Sequence, residues 1–306
     1  MKKKKIFFLL ALMALFIGCS SDGDTAETPP ENPQGETPSP PTPPNPNVDR
    51  SGNLLATGAS ANDLLANTNF DRILIEVAHV AGFRPTAETL ASFQEFIQQK
   101  TFKENIDIIF NELPSPNEET LTLEEIDDLE QDNRTAFNDG STLAVYIYFA
   151  DAPSDGDDEE EDLVTLGAVF RNTSMVIFES TIRRLAPPDN SGAPVTLTDV
   201  ETATLNHEFG HLFGLVNLGT EPVNDHEDTE APNHCNVEGC LMQAQLQFGS
   251  PAARSLTSRG EILTSPCTLN GNSMLKLLES RAARSLAVVP ILDGECILDL
   301  QGNGGR

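Results

Sequence analysis

Two patterns of apolar and polar positions alternate along this chain. Short apolar runs, rich in Ile, Val, Phe and Tyr, predict five strands, at 73–80, 105–113, 142–150, 163–170 and 174–180. Apolar residues that recur every three or four positions predict helices at 86–99, around 121–137, and from Thr198 or Asp199 onward. Because strands and helices alternate, we expect an α/β (α+β) fold in which helices pack against a mixed, mostly parallel sheet of five strands.

The first 18 residues have the features of an export signal. Lys2 to Lys5 give a positive start, residues 6–17 form an apolar stretch too short to span a bilayer, and Gly18 and Cys19 follow. A small residue before a cysteine at this place resembles the lipobox of bacterial lipoproteins, which implies a lipid anchor at Cys19 in the outer membrane or at the cell surface. An ordinary secretory signal with an incidental cysteine is the alternative.

Residues 19–50 form a linker. They lack an apolar run and hold nine prolines between Pro29 and Pro46, a composition typical of a semi-rigid spacer. Asp22 and Asp24, just after the cysteine, resemble the surface-export signal of lipoproteins from the Bacteroidetes group.

The folded part is expected at 51–306. No unit of 20 to 50 residues repeats along it, which argues against solenoids and propellers. We expect an N-terminal subdomain over about 51–214 and a C-terminal subdomain over about 215–306. The second is expected to be irregular, because little periodic pattern follows Gly214.

The chain is strongly acidic. Its formal charge is -28, and loss of four lysines with the signal leaves 47 acidic against 15 basic residues, or -32. Such a field repels nucleic acid, so we expect no nucleic-acid partner. We also expect a monomer. The acidic loop at 151–162 offers carboxylates to calcium but lacks the spacing of a known calcium loop, and a solvated turn is favoured.

Residues 207–214, HEFGHLFG, carry the main chemical signal. His207 and His211 are four apart, so a helix places both imidazoles on one face, where one zinc ion can bind both. Glu208 lies beside them, where a carboxylate can accept a proton from water. Gly214 suits a left-handed residue that ends the helix and turns the chain back, although an ordinary helix end uses the same residue.

A third ligand has to come from farther along the chain, because Asn217 is neutral and a weak zinc donor. Downstream, residues 234–242 read HCNVEGCLM. Here the sequence resembles the metzincin clan of zinc peptidases, whose helix motif ends in glycine and a third histidine above a methionine-containing turn. Within that clan it most resembles the archaemetzincins, whose third histidine is followed by Cys, four residues, Cys, one residue and Met, the spacing found from His234 to Met242.

The resemblance implies that His234 joins the two helix histidines as a ligand of one catalytic zinc ion, with Met242 beneath it. Between Gly214 and His234 lie 19 residues where the clan usually has two, so we interpret the excess as an inserted loop that leaves the site and returns. His226 lies inside this loop and is the alternative third ligand.

The order of elements from about residue 71 also resembles the metzincin N-terminal subdomain. It implies a zincin fold with a five-stranded sheet, an active-site helix and an irregular C-terminal subdomain. In that clan the fourth strand runs antiparallel along the cleft rim and pairs with an extended substrate, and residues 163–170 are the matching candidate. The alternative is an edge strand shielded by acidic neighbours.

The remaining cysteines, Cys235, Cys240, Cys267 and Cys296, lie near the C-terminus. An exported chain meets oxidising conditions, so we predict two disulfides and favour Cys235 with Cys240 and Cys267 with Cys296 among three possible pairings. Archaemetzincins carry a later CxxC that completes a second, four-cysteine zinc site, whereas Cys267 and Cys296 are 29 apart here. We therefore expect a single zinc ion.

The leading hypothesis is a zinc-dependent endopeptidase that hydrolyses protein or peptide substrates, with Glu208 as general base. The alternative is a non-catalytic surface binding module or adhesin that retains the fold, motivated by the acidic insertion and opposed by the intact Glu208. A third possibility is another class of zinc peptidase with Glu227 or Glu230 as ligand, which Gly214 and Met242 disfavour.

Overall fold

The structure is a computed structural model of the 306-residue chain. It describes residues 48–158, 163–243, 257–258, 261–262 and 267–306, with the backbone alone at 257–258, 261–262 and 267–274. The export signal, Cys19 and nearly all of the linker lie outside the described residues, so their roles stay predictions.

The described strands are β1 (Arg72–Val80), β2 (Asn105–Leu113), β3 (Thr142–Phe149), β4 (Leu163–Arg171), β5 (Ser174–Ile177), β6 (Thr257–Ser258), β7 (Glu261–Ile262) and β8 (Cys267–Asn270). The described α-helices are α1 (Ala61–Leu65), α2 (Ala87–Lys100), α3 (Leu123–Asn133), α4 (Glu179–Leu185), α5 (Leu197–Leu212), α6 (Gly271–Ala283) and α7 (Gly294–Gly302). None of these helices has both the length and the apolar composition needed to cross a bilayer.

Six of the described strands form one sheet in the order β2-β1-β3-β5-β4-β8, and β6 pairs with β7 separately. β2, β1, β3 and β5 run parallel, whereas β4 is antiparallel to both of its neighbours. The five predicted strands are present in a mixed, mostly parallel sheet, which confirms the fold class. β8 is a sixth, short strand that the sequence pattern did not indicate.

Two elements differ from the prediction. The predicted strand at 174–180 ends at Ile177, and Glu179 begins α4. Beyond Gly214, α6 and α7 make the C-terminal part more helical than expected. α7 has only nine residues and starts after Asp293, whose side chain accepts the Cys296 backbone N–H. So short a helix leaves little periodic signal in a sequence.

Hydrophobic cores cover both faces of the sheet. Val145 and Tyr146, neighbours on β3, belong to different cores because successive strand residues point to opposite faces. α2 and α5 close the first core, where the Phe93 and Phe209 rings meet edge to face with centroids 5.0 Å apart. α3 closes the second core through Ile126.

α5 carries the HEFGH motif into the interior. The helix begins after Thr196, whose backbone N–H donates to Asp199 Oδ2 at 2.9 Å, so it starts slightly before the predicted position. Every residue from Val200 to Leu212 is buried. The polar side chains of this part of the helix, including those of the HEFGH motif, therefore lie inside the protein.

Candidate metal centre

Three buried histidines converge at the C-terminal end of α5. His207 and His211 are one helical turn apart, and His234 arrives from the loop that follows. Their ring centroids are 4.9, 5.3 and 5.2 Å apart. One ring nitrogen of each lies within 4.8 Å of the others. The structure therefore places the three predicted zinc ligands together.

Main-chain carbonyls orient two of the rings. His207 Nδ1 donates to the Leu241 oxygen at 2.8 Å, and His234 Nδ1 donates to the Pro232 oxygen at 2.9 Å. Because a carbonyl oxygen only accepts, each neutral ring carries its proton on Nδ1. The Nε2 lone pairs of both rings are then available to a metal ion.

Burial keeps the imidazoles neutral. It lowers the pKa of His207 to about 3, and the neighbouring His234 adds to the effect. The pKa values of His211 and His234 are also lowered, again chiefly by burial. Neutral imidazole is the form that binds a metal ion, so the cluster is in its ligand state at neutral pH.

The spacing of the nitrogens fits zinc. His207 Nε2 and His211 Nε2 are 3.2 Å apart. Zn–N bonds of about 2.0–2.1 Å in a tetrahedron separate two ligand nitrogens by about 3.3 Å. Three protein donors leave the fourth position of the tetrahedron open, as catalytic zinc sites require.

The loop that carries His234 starts at a sharp helix end. Gly214 has a φ of 75°, and its N–H donates to the His211 oxygen at 3.0 Å. A Cβ atom at this position would lie 2.8 Å from Thr220 Cγ2 and 3.0 Å from Ala61 Cβ. Both the left-handed backbone and the close packing therefore require glycine here.

Asn217 holds the returning loop in place. Its side-chain amide donates to one carboxylate oxygen of Glu227, whose other oxygen accepts the Asn233 N–H at 2.6 Å. Asn233 directly precedes His234. Asn217 lies at the position where the sequence motif would have a third histidine. It fixes the loop that carries His234.

The alternative ligands lie elsewhere. His226 Nε2 is 2.7 Å from Asp299 Oδ2, and its Nδ1 is 3.3 Å from Cys235 Sγ. The group that gathers around the helix histidines includes neither His226 nor Glu227 nor Glu230, among the residues that the structure describes.

Glu208 is buried against strand β4. It is 1% exposed. A Cβ atom built on Gly167 would lie 2.6 Å from Glu208 Cγ and 2.9 Å from its Oε1. The bare backbone of Gly167 therefore makes room for the carboxyl group at this point of the sheet.

Met242 packs beneath the helix. It is fully buried, and a Cβ atom built on Gly210 would lie 2.3 Å from Met242 Sδ. Gly210 falls between the two helix histidines, and Leu241 supplies the carbonyl that orients His207. The methionine segment thus contacts the helix at the level of its ligands.

A second group of candidate ligands lies beyond this segment. The sulfurs of Cys235, Cys240 and Cys296 and a carboxylate oxygen of Asp293 lie within 4.8 Å of one another. Hydrogen bonds from the Cys240 and Cys296 thiols lower the pKa of Cys235, and the same contacts raise the pKa values of Cys240 and Cys296. Thiolates bind zinc, so the described residues offer a second group of candidate ligands beside the three histidines.

Neither predicted disulfide, Cys235 with Cys240 or Cys267 with Cys296, is formed at the cysteines whose side chains the structure describes. Cys235, Cys240 and Cys296 are free thiols. The prediction weighed sequence separation, whereas α7 brings Cys296 Sγ to 3.6 Å from Cys240 Sγ across 56 positions. The side chain of Cys267 lies outside the described residues.

The described part of the acidic loop supports β4. Asp157 Oδ1 accepts the Thr165 N–H at 2.7 Å, and burial raises the pKa of Asp157 to about 6. Neither group of candidate ligands includes a residue of this loop, within the part of the chain that the structure describes.

Sequence reasoning missed four residues of these sites: Gly167, Gly210, Asp293 and Asp299. A glycine inside a helix, such as Gly210, is a signal for close packing, and Asp293 before a short helix is a capping signal. Gly167, a glycine inside a predicted strand, is likewise a signal for a bulge or a close approach. Asp299 gave no signal, because its contact with His226 joins residues that are far apart in the sequence.

The chain was compared with protein families, curated proteins and solved structures. No family model matches the sequence, and no curated protein matches it. Among solved structures, the chain is similar to the archaemetzincin of Methanopyrus kandleri, with a TM-score of 0.43 and 15% sequence identity over 76% of this chain and 96% of that one.

Proposed function

We propose that this protein is a zinc-dependent endopeptidase, exported as a lipoprotein and held at the outer membrane or cell surface through Cys19. The observation that carries the proposal is the cluster of three buried, neutral histidines, with the buried Glu208 next to His207 on the same helix. Three imidazole donors with an open fourth position and an adjacent carboxylate are the groups that zinc-dependent hydrolysis uses.

The chain's own residues have separate tasks in this reaction. The three histidines would hold the ion, which supplies Lewis-acid activation of water and of the scissile carbonyl. Glu208 accepts the proton of the attacking water and passes it to the nitrogen of the leaving amine. Gly167 fixes the position of this carboxyl group, and the carbonyls of Leu241 and Pro232 fix two imidazoles.

A second, structural ion is part of the proposal. Cys235, Cys240, Cys296 and Asp293 offer four donors, which leave no position open and suit a structural site. Cys235 directly follows His234, so an ion there would fix the backbone next to the third histidine.

A binding module with the same fold is the competing function. Such a module has no use for a carboxyl group beside its metal ion, and burying that group carries a desolvation cost. The nearly complete burial of Glu208 beside the histidines favours the peptidase.

Elemental analysis of the purified chain tests the metal sites. We expect two zinc ions in the parent, loss of one in His234→Ala, and loss of the other in Cys240→Ser. His79→Ala is the matched control, because His79 is a buried histidine on β1 outside both groups. Loss of the histidine-site ion in His226→Ala, with retention in His234→Ala, would contradict the ligand assignment.

Hydrolysis of an internally quenched peptide library tests the activity. Glu208→Ala should keep its zinc content and lose about 10²–10⁴-fold in rate, the typical contribution of a general base. Full activity in this variant would exclude the mechanism. A zinc-loaded parent that cleaves no member of the library would favour the binding module.

A further inference from the structure

The outer edge of β4 is covered by a strand of the same chain. β8 pairs with β4 in the antiparallel sense, with partners Leu163↔Asn270, Val164↔Leu269, Thr165↔Thr268 and Gly167↔Cys267. The register shifts between Thr165 and Gly167, which marks a bulge in the ladder. β8 itself has only four residues.

This covered edge lies against the candidate general base. Gly167, the last β4 residue paired with the described residues of β8, is the residue whose backbone lies against Glu208. β8 therefore pairs with β4 beside the carboxyl group that the proposed reaction uses.

An extended peptide binds to a sheet by pairing with the free N–H and C=O groups of an edge strand. The opposite edge, β2, is four strands away from β4. Strands are spaced by about 4.8 Å, so β2 lies about 19 Å from β4 across the sheet. A peptide on β2 is therefore out of reach of Glu208.

The outer side of β8 is a poor substitute. A peptide paired there would lie one strand spacing, about 4.8 Å, farther from Glu208 than a peptide paired with β4. A general base has to come within about 2.6–3.2 Å of the proton it moves, or act through one water molecule. Direct pairing with β4 satisfies this requirement better.

We infer that β8 is an intramolecular competitor of the peptide substrate: it occupies the β4 edge beside Glu208 and leaves that edge when an extended peptide binds. This inference rests on the proposed peptidase function. The short ladder and its bulge leave few backbone hydrogen bonds to exchange. α6 follows β8 directly and buries Leu278 in the core, so it anchors the C-terminal end of the displaced strand.

A paired set of variants in the full chain separates backbone pairing from side-chain effects. Proline has no N–H, and successive strand residues direct their N–H groups to opposite sides, so Thr268→Pro with Leu269→Pro removes at least one bond of the ladder. Thr268→Ala with Leu269→Ala keeps both N–H groups and is the control. Hydrogen exchange at 163–167 reports on the edge and is read at Val164, because the N–H groups of Leu163 and Thr165 donate to Asp158 and Asp157 instead. Exchange of β1 and β3 reports on the fold.

We expect the proline variant to expose the 163–167 amides and to raise kcat/KM for the quenched peptide library at least tenfold, while the alanine control matches the parent. Faster exchange at 163–167 without any gain in hydrolysis would overturn the inference. If neither the parent nor either variant hydrolyses peptide, the proposed peptidase activity is wrong, but the competition between β8 and a peptide can still be tested. The peptide library should then slow hydrogen exchange at 163–167 in the proline variant, and unchanged exchange would overturn the inference.

The parent provides a second measurement that does not depend on the proline variant folding. At saturating peptide, exchange at 268–270 should accelerate while 163–167 stays protected, because the peptide replaces β8 on the edge. Continued protection of 268–270 during peptide turnover would overturn the inference.

Discussion

The sulfur of Met242 lies against the backbone of Gly210, with space for no additional atom between them. This contact fixes the distance between the methionine segment and the helix turn that carries His207 and His211. Since Leu241 also accepts the His207 Nδ1 proton, packing and ligand orientation depend on the same segment. A change in the packing of Met242 against Gly210 should therefore also change the positions of His207 and His211.

Gly210→Ala should destabilise the protein by about 1–3 kcal/mol, the usual cost of an overpacked core position. Met242→Ala should cost about 2–5 kcal/mol by leaving a cavity. In the double variant the new methyl group occupies part of that cavity, so the combined cost should fall at least about 0.5 kcal/mol short of the sum. Urea denaturation measures all three.

Gly294→Ala is the control for this cycle, because a Cβ atom there meets nothing within 4 Å. It should leave the unfolding free energy nearly unchanged. Strict additivity of the two core changes would show that Gly210 and Met242 do not contact each other in solution.

Gly167→Ala should separate metal binding from catalysis. The new Cβ atom would displace Glu208, so we expect kcat to fall about 100-fold, as for a misplacement of about 1 Å. The zinc content should stay at the parent value, because the three histidines keep their contacts. Gly156→Ala is the control, since its Cβ meets only Ser154 Oγ at 3.5 Å. An unchanged kcat would mean that this contact does not position the carboxyl group.

The parts of the fold that the sequence revealed are those with a local signal. β3 reads TLAVYIYF and is nearly all apolar because both of its faces are buried. The predicted start of α5, at Thr198 or Asp199, lies one or two residues after the observed start at Leu197, which follows the capping box of Thr196 and Asp199. Residues 207–214 carry a helical spacing that places two histidines on one face.

The parts that the sequence concealed depend on distant partners. Gly167 reads as a weak point in a strand until α5 packs Glu208 against it. The three thiols meet only because α7 returns Cys296 to Cys240, and no local pattern encodes that return. β8 is too short to show a period, and its partner strand lies about a hundred positions earlier.

Asn217→Ala should weaken zinc binding at the histidine site. Glu227 accepts one hydrogen bond from the Asn217 side chain and one from the Asn233 N–H. Without the Asn217 amide the first bond is lost, so the backbone before His234 is held less firmly. Loss of a group that supports a ligand typically lowers metal affinity about 10–100-fold. Competition with a zinc chelator measures the change. Asn224→Ala is the control, because Asn224 lies in the same loop but bonds to Glu295. Equal affinities for both variants would contradict the role given to Asn217.

Glu179 should make stability depend on pH. Burial, followed by the nearby carboxylate of Glu201, raises the pKa of Glu179 from 4.5 to about 9. Between these values the unfolded chain has released the proton that the folded chain still holds, so the unfolding free energy falls as pH rises. The contribution of Glu179 to the unfolding free energy is therefore fully present below pH 4.5 and is lost as the pH rises to about 9.

Glu179→Gln should remove this dependence, because glutamine stays neutral and still offers a donor toward Glu201. At pH 8 we expect the variant to be about 1–3 kcal/mol more stable than the parent, and this advantage should shrink toward pH 5. Urea denaturation at both pH values measures the difference, with the exposed Glu221→Gln as control. If parent and variant lose the same unfolding free energy between pH 5 and 8, this prediction is wrong. Glu179 would then be ionised in the folded protein, and the hydrogen bond from Arg183 would stabilise its negative charge.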